Sequence, residues 1–477
     1  MMMSELALLS PEFTLLTLAS IILVLGTMAT KQGSALTYVL SQVTLVLVII
    51  LVIYHYPAHS TTVMNGTFIS DALSATLKLV ICLITMVVFF YSWDYLQEHE
   101  LVKGEYFILG LFAVLGMCVM VSANSLLTVY LGLELLSLSL YSMVAMHRDS
   151  PTASEAAMKY FVLGAIASGM LLYGISILYG VSGTLELPVL SQFISAHQGS
   201  NMFLAFGLVF VIIGVAFKLG AVPFHMWIPD VYEGSPTSVT LFISTAPKLA
   251  AFAMAIRLLA DGMSPLLHDW QGMLILLSVL SMAAGNIIAI AQTNIKRMLA
   301  YSTISHIGFM LLGILSGTTS GYAGSMFYII VYALMSMGAF GMVILMGRKG
   351  HEADLLDDYK GLSQRSPWFA FIMMILMFSL AGVPPFIGFW SKWYVIMEVI
   401  AIGHVWLAST AVVFSVIGAY YYLRIVKLMY FDKPEQMKAI KASQEMRMVL
   451  SLNGLSLLFL GLAPGLLMSV CIRAMGL

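Results

Sequence analysis

The sequence predicts an all-α polytopic membrane protein of about fourteen transmembrane helices, with two inverted five-helix repeats and with helices seven and twelve discontinuous. Three observations lead there. Residues are 60% hydrophobic and only 9% charged, with a mean hydropathy of +0.96, whereas ordinary soluble domains carry about a quarter charged residues. Apolar runs of about 20 residues, the length a helix needs to cross hydrocarbon, recur along the whole chain. One proline-interrupted, lysine-bearing segment also appears twice, as "KLGAVPFHMW" (218–227) and "SLAGVPPFIGFWSKWYV" (379–395).

The runs fall near 11–29, 36–54, 70–93, 105–122, 125–146, 156–180, 202–226, 237–260, 272–292, 299–316, 322–346, 367–396, 404–430 and 448–470. Polar clusters such as "HRDSPTASEAAMK" and "GRKGHEADLLDDYKGLSQR" separate them, as turn-forming and charged residues do between spans. Loops after odd-numbered spans hold Lys31, Lys103, Arg148, Lys296, Arg297, Arg348, Lys349, Lys360, Arg365, Lys433, Lys438, Lys441 and Arg447, while the even-numbered side has almost none, Arg473 excepted. The excess of basic residues on one side places those loops in the cytoplasm and both termini outside. The first run lacks a basic leader and a small-residue cleavage site, so it reads as a true span.

Spans seven and twelve run in opposite directions, which is the mark of inverted repeats. The expected organisation is a three-helix segment over 1–104, a first repeat over 105–262 (spans four to eight) and a second over 263–432 (spans nine to thirteen). A cytoplasmic loop and the last span fill 433–477. Broken helices at matching places of two repeats point to an ion or substrate path, because irregular backbone survives at membrane depth only inside protein or beside water. The plainer alternative is that Pro223, Pro384 and Pro385 are packing kinks.

A buried charge in hydrocarbon costs about 2.5–3.5 kcal/mol on insertion scales, so each one asks for a reason. Glu134 sits mid-span in "YLGLELLSLSL", Lys218 lies before the first break, Lys248 follows Pro247 near the middle of span eight, and Lys392 follows the second break. Glu134 and Lys218 are expected to form an acid–base pair in one pocket; the structural alternative is a static ion pair. His225, just past the first break, and His306, in "AYSTISHIGFM", are candidate relays because imidazole titrates near neutral pH; each also reads as a hydrogen-bonded packing residue. Tyr301, Ser302, Thr303 and Ser305 give the His306 helix a hydroxyl-rich face. Lys78 is expected to snorkel to an interface, as are Arg424 and Lys427. Glu155 and Lys159 suit an i,i+4 pair, and "WIPDVYEGSP" a structured cytoplasmic entrance. A net charge of −1 gives no reason to expect a nucleic-acid partner. Cys82, Cys118 and Cys471 lie singly, without metal-ligand spacing, so no metal, cluster or disulfide is expected on this chain.

Taken together, "FKLGAVPFHMWIPDVYEGSPTSVTLFISTAPKLAAF", "QTNIKRMLAYSTISHIGFM" and "LAGVPPFIGFWSKWYV" resemble the antiporter-like membrane subunits of bacterial proton-pumping NADH:quinone oxidoreductase, respiratory complex I. The resemblance runs from span four to span thirteen and departs from the family at Pro385 and Phe386. It implies a proton relay of Glu134, Lys218, Lys248 and Lys392, with His225 and His306 in the same polar axis. It further implies that NADH, FMN, iron–sulfur clusters and quinone are handled by partner subunits, with no cofactor on this chain. The implied partners are the other antiporter-like subunits, the small quinone-proximal membrane subunits and the lipid of the cell inner membrane. A subunit of a multisubunit Na⁺/H⁺ antiporter or of a membrane-bound hydrogenase would share these features. A structural spacer with static charges is the rival from another class.

Overall fold

A computed structural model describes residues 7–28, 33–101, 103–197, 202–347, 351–434, 440 and 442–476. Lys31, Arg348, Lys349, Lys438 and Lys441, counted above among the basic loops, lie outside the described residues.

The chain opens with α1 (Ser10–Met28) and α2 (Gly33–Tyr54), then a small hairpin of β1 (Thr61–Val63) and β2 (Phe68–Ser70). There follow α3 (Ala72–Glu98), α4 (Glu105–Val121), α5 (Leu126–Val144), α6 (Pro151–Ser182), the short α7 (Leu187–Ala196) and α8 (Met202–Leu219). Beyond the first break come α9 (Trp227–Gly234), α10 (Thr237–Ile243) and α11 (Ala246–Ala255), which runs into a π-helical turn over Ile256–Gly262. The second part holds α12 (Leu267–Ile290), α13 (Ile295–Leu315), α14 (Thr319–Met346), the short α15 (Leu362–Arg365), α16 (Pro367–Ala381), α17 (Ile387–Ala401), α18 (Val405–Phe431), α19 (Gln444–Leu462) and α20 (Pro464–Ala474).

Helix is the only open-ended way to satisfy every backbone group in hydrocarbon, and the ends are set by ordinary caps. Asp71 accepts from the Ser74 amide to start α3, and Asn294 accepts from the Arg297 amide to start α13. Among the described residues, twelve helical segments are long and apolar enough to cross a membrane, and every apolar run marked in the sequence falls on helix.

Five features depart from the sequence reading. Helix α7, lying between two spans, was not anticipated, nor was the hairpin. Span seven ends as helix at Leu219, well before residue 226. Span eight is itself interrupted at Ser244–Thr245, with Pro247 in the first turn of the restarted helix. Span fourteen breaks at Ala463, where Pro464 opens a new helix. The cause is shared: hydropathy reports length in the membrane but not the path of the backbone, and proline both ends one helix and is welcome in the first turn of the next.

Segments α10 to α11, α13 and α14 form the buried centre, while α1, α2 and α6 present broad apolar faces outward. Small residues set the tightest contacts. A Cβ on Gly116 would lie 2.6 Å from the Leu136 backbone, and one on Gly285 2.6 Å from that of Ser305, so α4–α5 and α12–α13 pack as two close pairs in the manner of membrane helices.

Candidate functional site

The two breaks are built alike. Leu219 and Ala381 are the last residues of α8 and α16. Gly220 and Gly382 follow them with φ of 88° and 84°, a conformation glycine enters without the Cβ penalty. At the first break the amides of Gly220 and Ala221 both bond the Ala216 carbonyl; at the second those of Gly382 and Val383 both bond the Phe378 carbonyl. The Val222–Pro223 and Pro384–Pro385 bonds are both cis. The backbones therefore match Gly220 to Gly382, Pro223 to Pro385 and Phe224 to Phe386. That register is one residue away from the Val-Pro echo seen in the sequence, and it makes Pro385 and Phe386 part of the break.

Ending a helix frees its last carbonyls, and lysines take them. Lys248 Nζ donates to the Leu219 carbonyl at 2.9 Å and lies 5.1 Å from the Trp227 ring centroid. Lys392 Nζ donates to the Ala381 carbonyl at 2.8 Å and to Ser415 Oγ at 3.0 Å, and lies 5.0 Å from the Phe309 ring centroid. Both side chains are buried. The carbonyl end of a helix carries partial negative charge and favours a cation, and a ring face adds to it. Lys392 was paired with Lys218 in the sequence by its place on a broken span; by what its amine binds, its counterpart is Lys248.

Lys218 is also buried, and its Nζ donates to Ser137 Oγ at 2.9 Å. Among the described residues it makes no ion pair with Glu134, so the expected pair is corrected: one turn of α5 puts the Ser137 hydroxyl where the carboxylate was expected. The Glu134 side chain is only half-buried, and Oε1 has no hydrogen-bond partner. His225 lies in the turn after the break, half-buried, with Nδ1 unpartnered.

His306 is held on both sides. Nδ1 is 2.7 Å from the Tyr328 hydroxyl and Nε2 is 3.0 Å from the Tyr422 hydroxyl, which in turn bonds Ser302. Thr303 bonds Tyr332 at 2.6 Å and Tyr421 donates to Asn286 at 3.0 Å. The expected hydroxyl face of α13 is therefore paired with tyrosines from α14 and α18. Sequence reading missed them because an intramembrane tyrosine looks like packing until its hydroxyl has a partner.

A cavity of about 510 Å³ opens beside α9 at the end of α8–α9 away from Arg257. Its charged lining includes Lys159, Asp230, Lys296, Arg297 and Glu352, and residues 230–236 of "WIPDVYEGSP" form part of its wall. Lys159 bonds Glu155 at 2.8 Å and Asp230 at 2.7 Å, and Arg297 bonds Asp230 at 2.9 Å and Glu233 at 2.7 Å. Burial alone would raise the Asp230 carboxyl, but the bonds from Lys159 and Arg297 outweigh it and hold the group below its usual value. Lys296, counted as a loop base, is buried and donates to the Ser235 carbonyl at 2.7 Å. Glu352, hidden in a polar loop sequence, accepts from Tyr95 at 2.6 Å and Thr237 at 2.7 Å. Its carboxyl too would be raised by burial, yet the Lys296 charge and these two bonds keep it low.

Away from this axis, Lys78 does not snorkel. Its amine is 2.6 Å from Glu12 Oε1, both residues are buried, and Phe68 lies beneath it at 4.9 Å. Glu12 stands in the first turn of α1. Arg424 reaches back to backbone carbonyls at Ile290 and Gln292, and Lys427 bonds Asp432.

Comparison with known proteins follows the same lines. The family described as NADH:quinone oxidoreductase/Mrp antiporter, TM, matches residues 123–418. The chain is 59% identical over 465 residues to NADH-quinone oxidoreductase subunit N of Thioalkalivibrio sulfidiphilus, covering 97% of each. It is similar to a chain of respiratory complex I from Thermus thermophilus with bound aureothin, with 31% identity, a TM-score of 0.83 and coverage of 96% and 98%. A chain of the Mrp complex from Dietzia sp. has the same fold at 20% identity, with a TM-score of 0.84 over 100% of this chain and 97% of that one.

Proposed function

Because the chain belongs to the NADH:quinone oxidoreductase/Mrp antiporter transmembrane family, we propose that it is the antiporter-like, proton-carrying membrane subunit of a bacterial proton-pumping NADH:quinone oxidoreductase. The observation that carries this reading is the pair of buried lysines, Lys248 and Lys392, each bonded to the freed carbonyl end of a broken helix. An ammonium is held there by a bond and a dipole; a neutral amine is released, so each break is a place to hold a proton and give it up.

In this reading protons enter from the cytoplasm at the charged cavity, whose bonded carboxylates stay ionised, and pass to Lys218. Lys248 receives them at the first break. The Tyr328–His306–Tyr422 chain of the second half leads on toward Lys392: a neutral imidazole takes a proton on one nitrogen and releases one from the other, with the phenols alternating as donor and acceptor. Lys392 passes protons to the outer side. Glu134, one turn before Ser137 on α5, acts on Lys218 through charge without a shared hydrogen bond, and His225 lends a second imidazole beside the first break. The matched breaks support two repeats, read from the sequence as 105–262 and 263–432. Electrons travel from NADH through FMN, iron–sulfur clusters and quinone in partner subunits.

Three exposed features at membrane depth support partner subunits on this chain's flank. Glu134 is half-exposed, Pro223 and Met226 of the first break are exposed, and so are Pro384 and Pro385 of the second. A carboxylate and irregular backbone do not face lipid, so neighbouring membrane subunits cover them. The basic loops support a cell inner membrane orientation with both termini outside.

Inverted membrane vesicles carrying Lys218→Ala, with assembly verified, provide the test. NADH:quinone electron transfer and proton-gradient formation are expected to fall together, because a blocked relay stalls the electrons coupled to it. Normal values of both would make the lysine structural and overturn the proposal.

A further inference from the structure

Two arginines stand outside the relay and at corresponding places in the two halves. Arg257 is 3% exposed. Its Nε and Nη2 donate to the Val121 carbonyl at 3.1 and 3.0 Å, Nη2 also to Asp71 Oδ1 at 2.8 Å, and Nη1 to Asp261 Oδ2 at 3.0 Å, while Nη1 also forms an ion pair with Asp71 Oδ2 at 2.8 Å. These four bonds and the ion pair surround the five N–H donors of the guanidinium with protein acceptors. One side chain thus ties the start of α3, the end of α4 and the π turn after α11.

The layer around it is stitched by backbone. Ile69 N–H bonds the Ser122 carbonyl, Asn124 N–H that of Thr67, Leu126 N–H that of Leu185, and Leu187 N–H that of Asn124. Helix α7 lies on the π turn so closely that a Cβ on Gly262 would meet Leu187 at 2.8 Å.

The other half repeats the scheme. Arg424 Nη1 donates to the Ile290 carbonyl at 3.3 Å and the Gln292 carbonyl at 3.2 Å, at the end of α12. The same backbone stitch follows: Ile295 N–H bonds the Asp354 carbonyl and Leu356 N–H that of Thr293. Between Val121 and Ile290 the chain crosses an odd number of times, by α5, α6, α8–α9, α10–α11 and α12, so the two arginines sit on opposite faces. The charged cavity opens at the end of the first half that Arg257 does not occupy.

We propose that Arg257 and Arg424 are positioning residues that seal one end of each half, on opposite faces, so that a proton crosses only by passing from one half to the other. This inference rests on the proton-carrying reading above. An arginine suits the task where a lysine would not, because it keeps its proton at any physiological pH and so cannot relay one.

The test is the passive proton conductance of vesicles holding the assembled complex, measured after an imposed pH jump with no NADH present, alongside quinone-reductase turnover. Arg257→Gln is expected to raise the leak several-fold, to lower the steady gradient and to leave electron transfer unslowed. Arg257→Lys, which keeps charge and most of the volume, leaks less. Arg424→Gln leaks by a smaller factor, since fewer bonds are lost, and the double variant leaks by the sum. Should Arg257→Gln fail to assemble, Asp261→Ala replaces it, removing the acceptor of one Nη1 bond while the Asp71 and Val121 bonds remain. An unchanged leak in these variants overturns the proposal. So does a joint fall of electron transfer and pumping without leak, which would put Arg257 on the proton path. Neither result touches the Lys218→Ala outcome, and a normal Lys218→Ala variant sinks the earlier reading whatever the leak.

Discussion

At the first break two lysines gather, Lys218 one residue inside the helix end and Lys248 from the next span; at the second break Lys392 works alone, from the far side of its own interruption. The backbone is the same in both places, down to the shared carbonyl acceptors and the glycine that turns the chain. The difference teaches that the site is made by the helix end. Freed carbonyls and the dipole draw a cation to one spot, and it matters little which segment supplies the amine. What surrounds the amine then differs: a serine, a carboxylate with an unpartnered oxygen and a charged cavity in the first half, and a packed tyrosine–histidine cluster near the second.

That comparison breaks first at the lysines. Lys248→Met and Lys392→Met are each expected to slow proton-coupled turnover by about a hundredfold or more, as loss of a positioned proton-transfer group does, with assembly intact. Turnover measured in vesicles that keeps pace in one variant alone would show that the two breaks are not equivalent. Next in size is the pair outside the axis. Glu12→Gln leaves Lys78 buried without its carboxylate and is expected to destabilise the chain by about 3–5 kcal/mol. Thermal unfolding of the purified complex checks this, and the double variant Glu12→Gln with Lys78→Met should recover most of the loss.

The glycines sharpen the contrast. An alanine at 382 would place its Cβ 2.9 Å from Lys392 Cδ and 3.2 Å from Nζ, whereas at 220 it would collide with Ile228 Cδ1. Gly382→Ala is expected to lower turnover by moving the amine, and Gly220→Ala to lower stability through packing; assaying both properties on both variants separates the effects. Tyr422→Phe removes one bond to His306, a net loss of about 1 kcal/mol or roughly fivefold, read as slower turnover at normal assembly. The smallest effect is on acid stability. The Asp230 and Glu352 carboxyls are held low, so their contribution is present above the unfolded carboxylate value, about 4, and is lost as pH falls through the folded values. Glu352→Gln is expected to lower stability near neutrality, where that contribution is present, and to flatten the acid limb of a stability-against-pH curve, so that variant and parent converge at low pH.

Hydropathy, basic-loop bias and two quoted segments were enough to read the helical membrane class, to locate both breaks and to single out Glu134, Lys218, Lys248, Lys392, His225 and His306. Each of those signals is local: a charge, a proline or an apolar run betrays itself within a few residues because hydrocarbon penalises it wherever the chain folds. What those residues touch was not legible. Ser137 stands 81 positions from Lys218 and Tyr422 116 from His306, and neither spacing carries a period. The Lys78–Glu12 contact, the bonds of Arg257 and the carbonyls taken by Lys248 and Lys392 belong in the same class. A hydrogen bond needs a partner within about 3 Å, and only the packing of helices far apart in sequence brings one there.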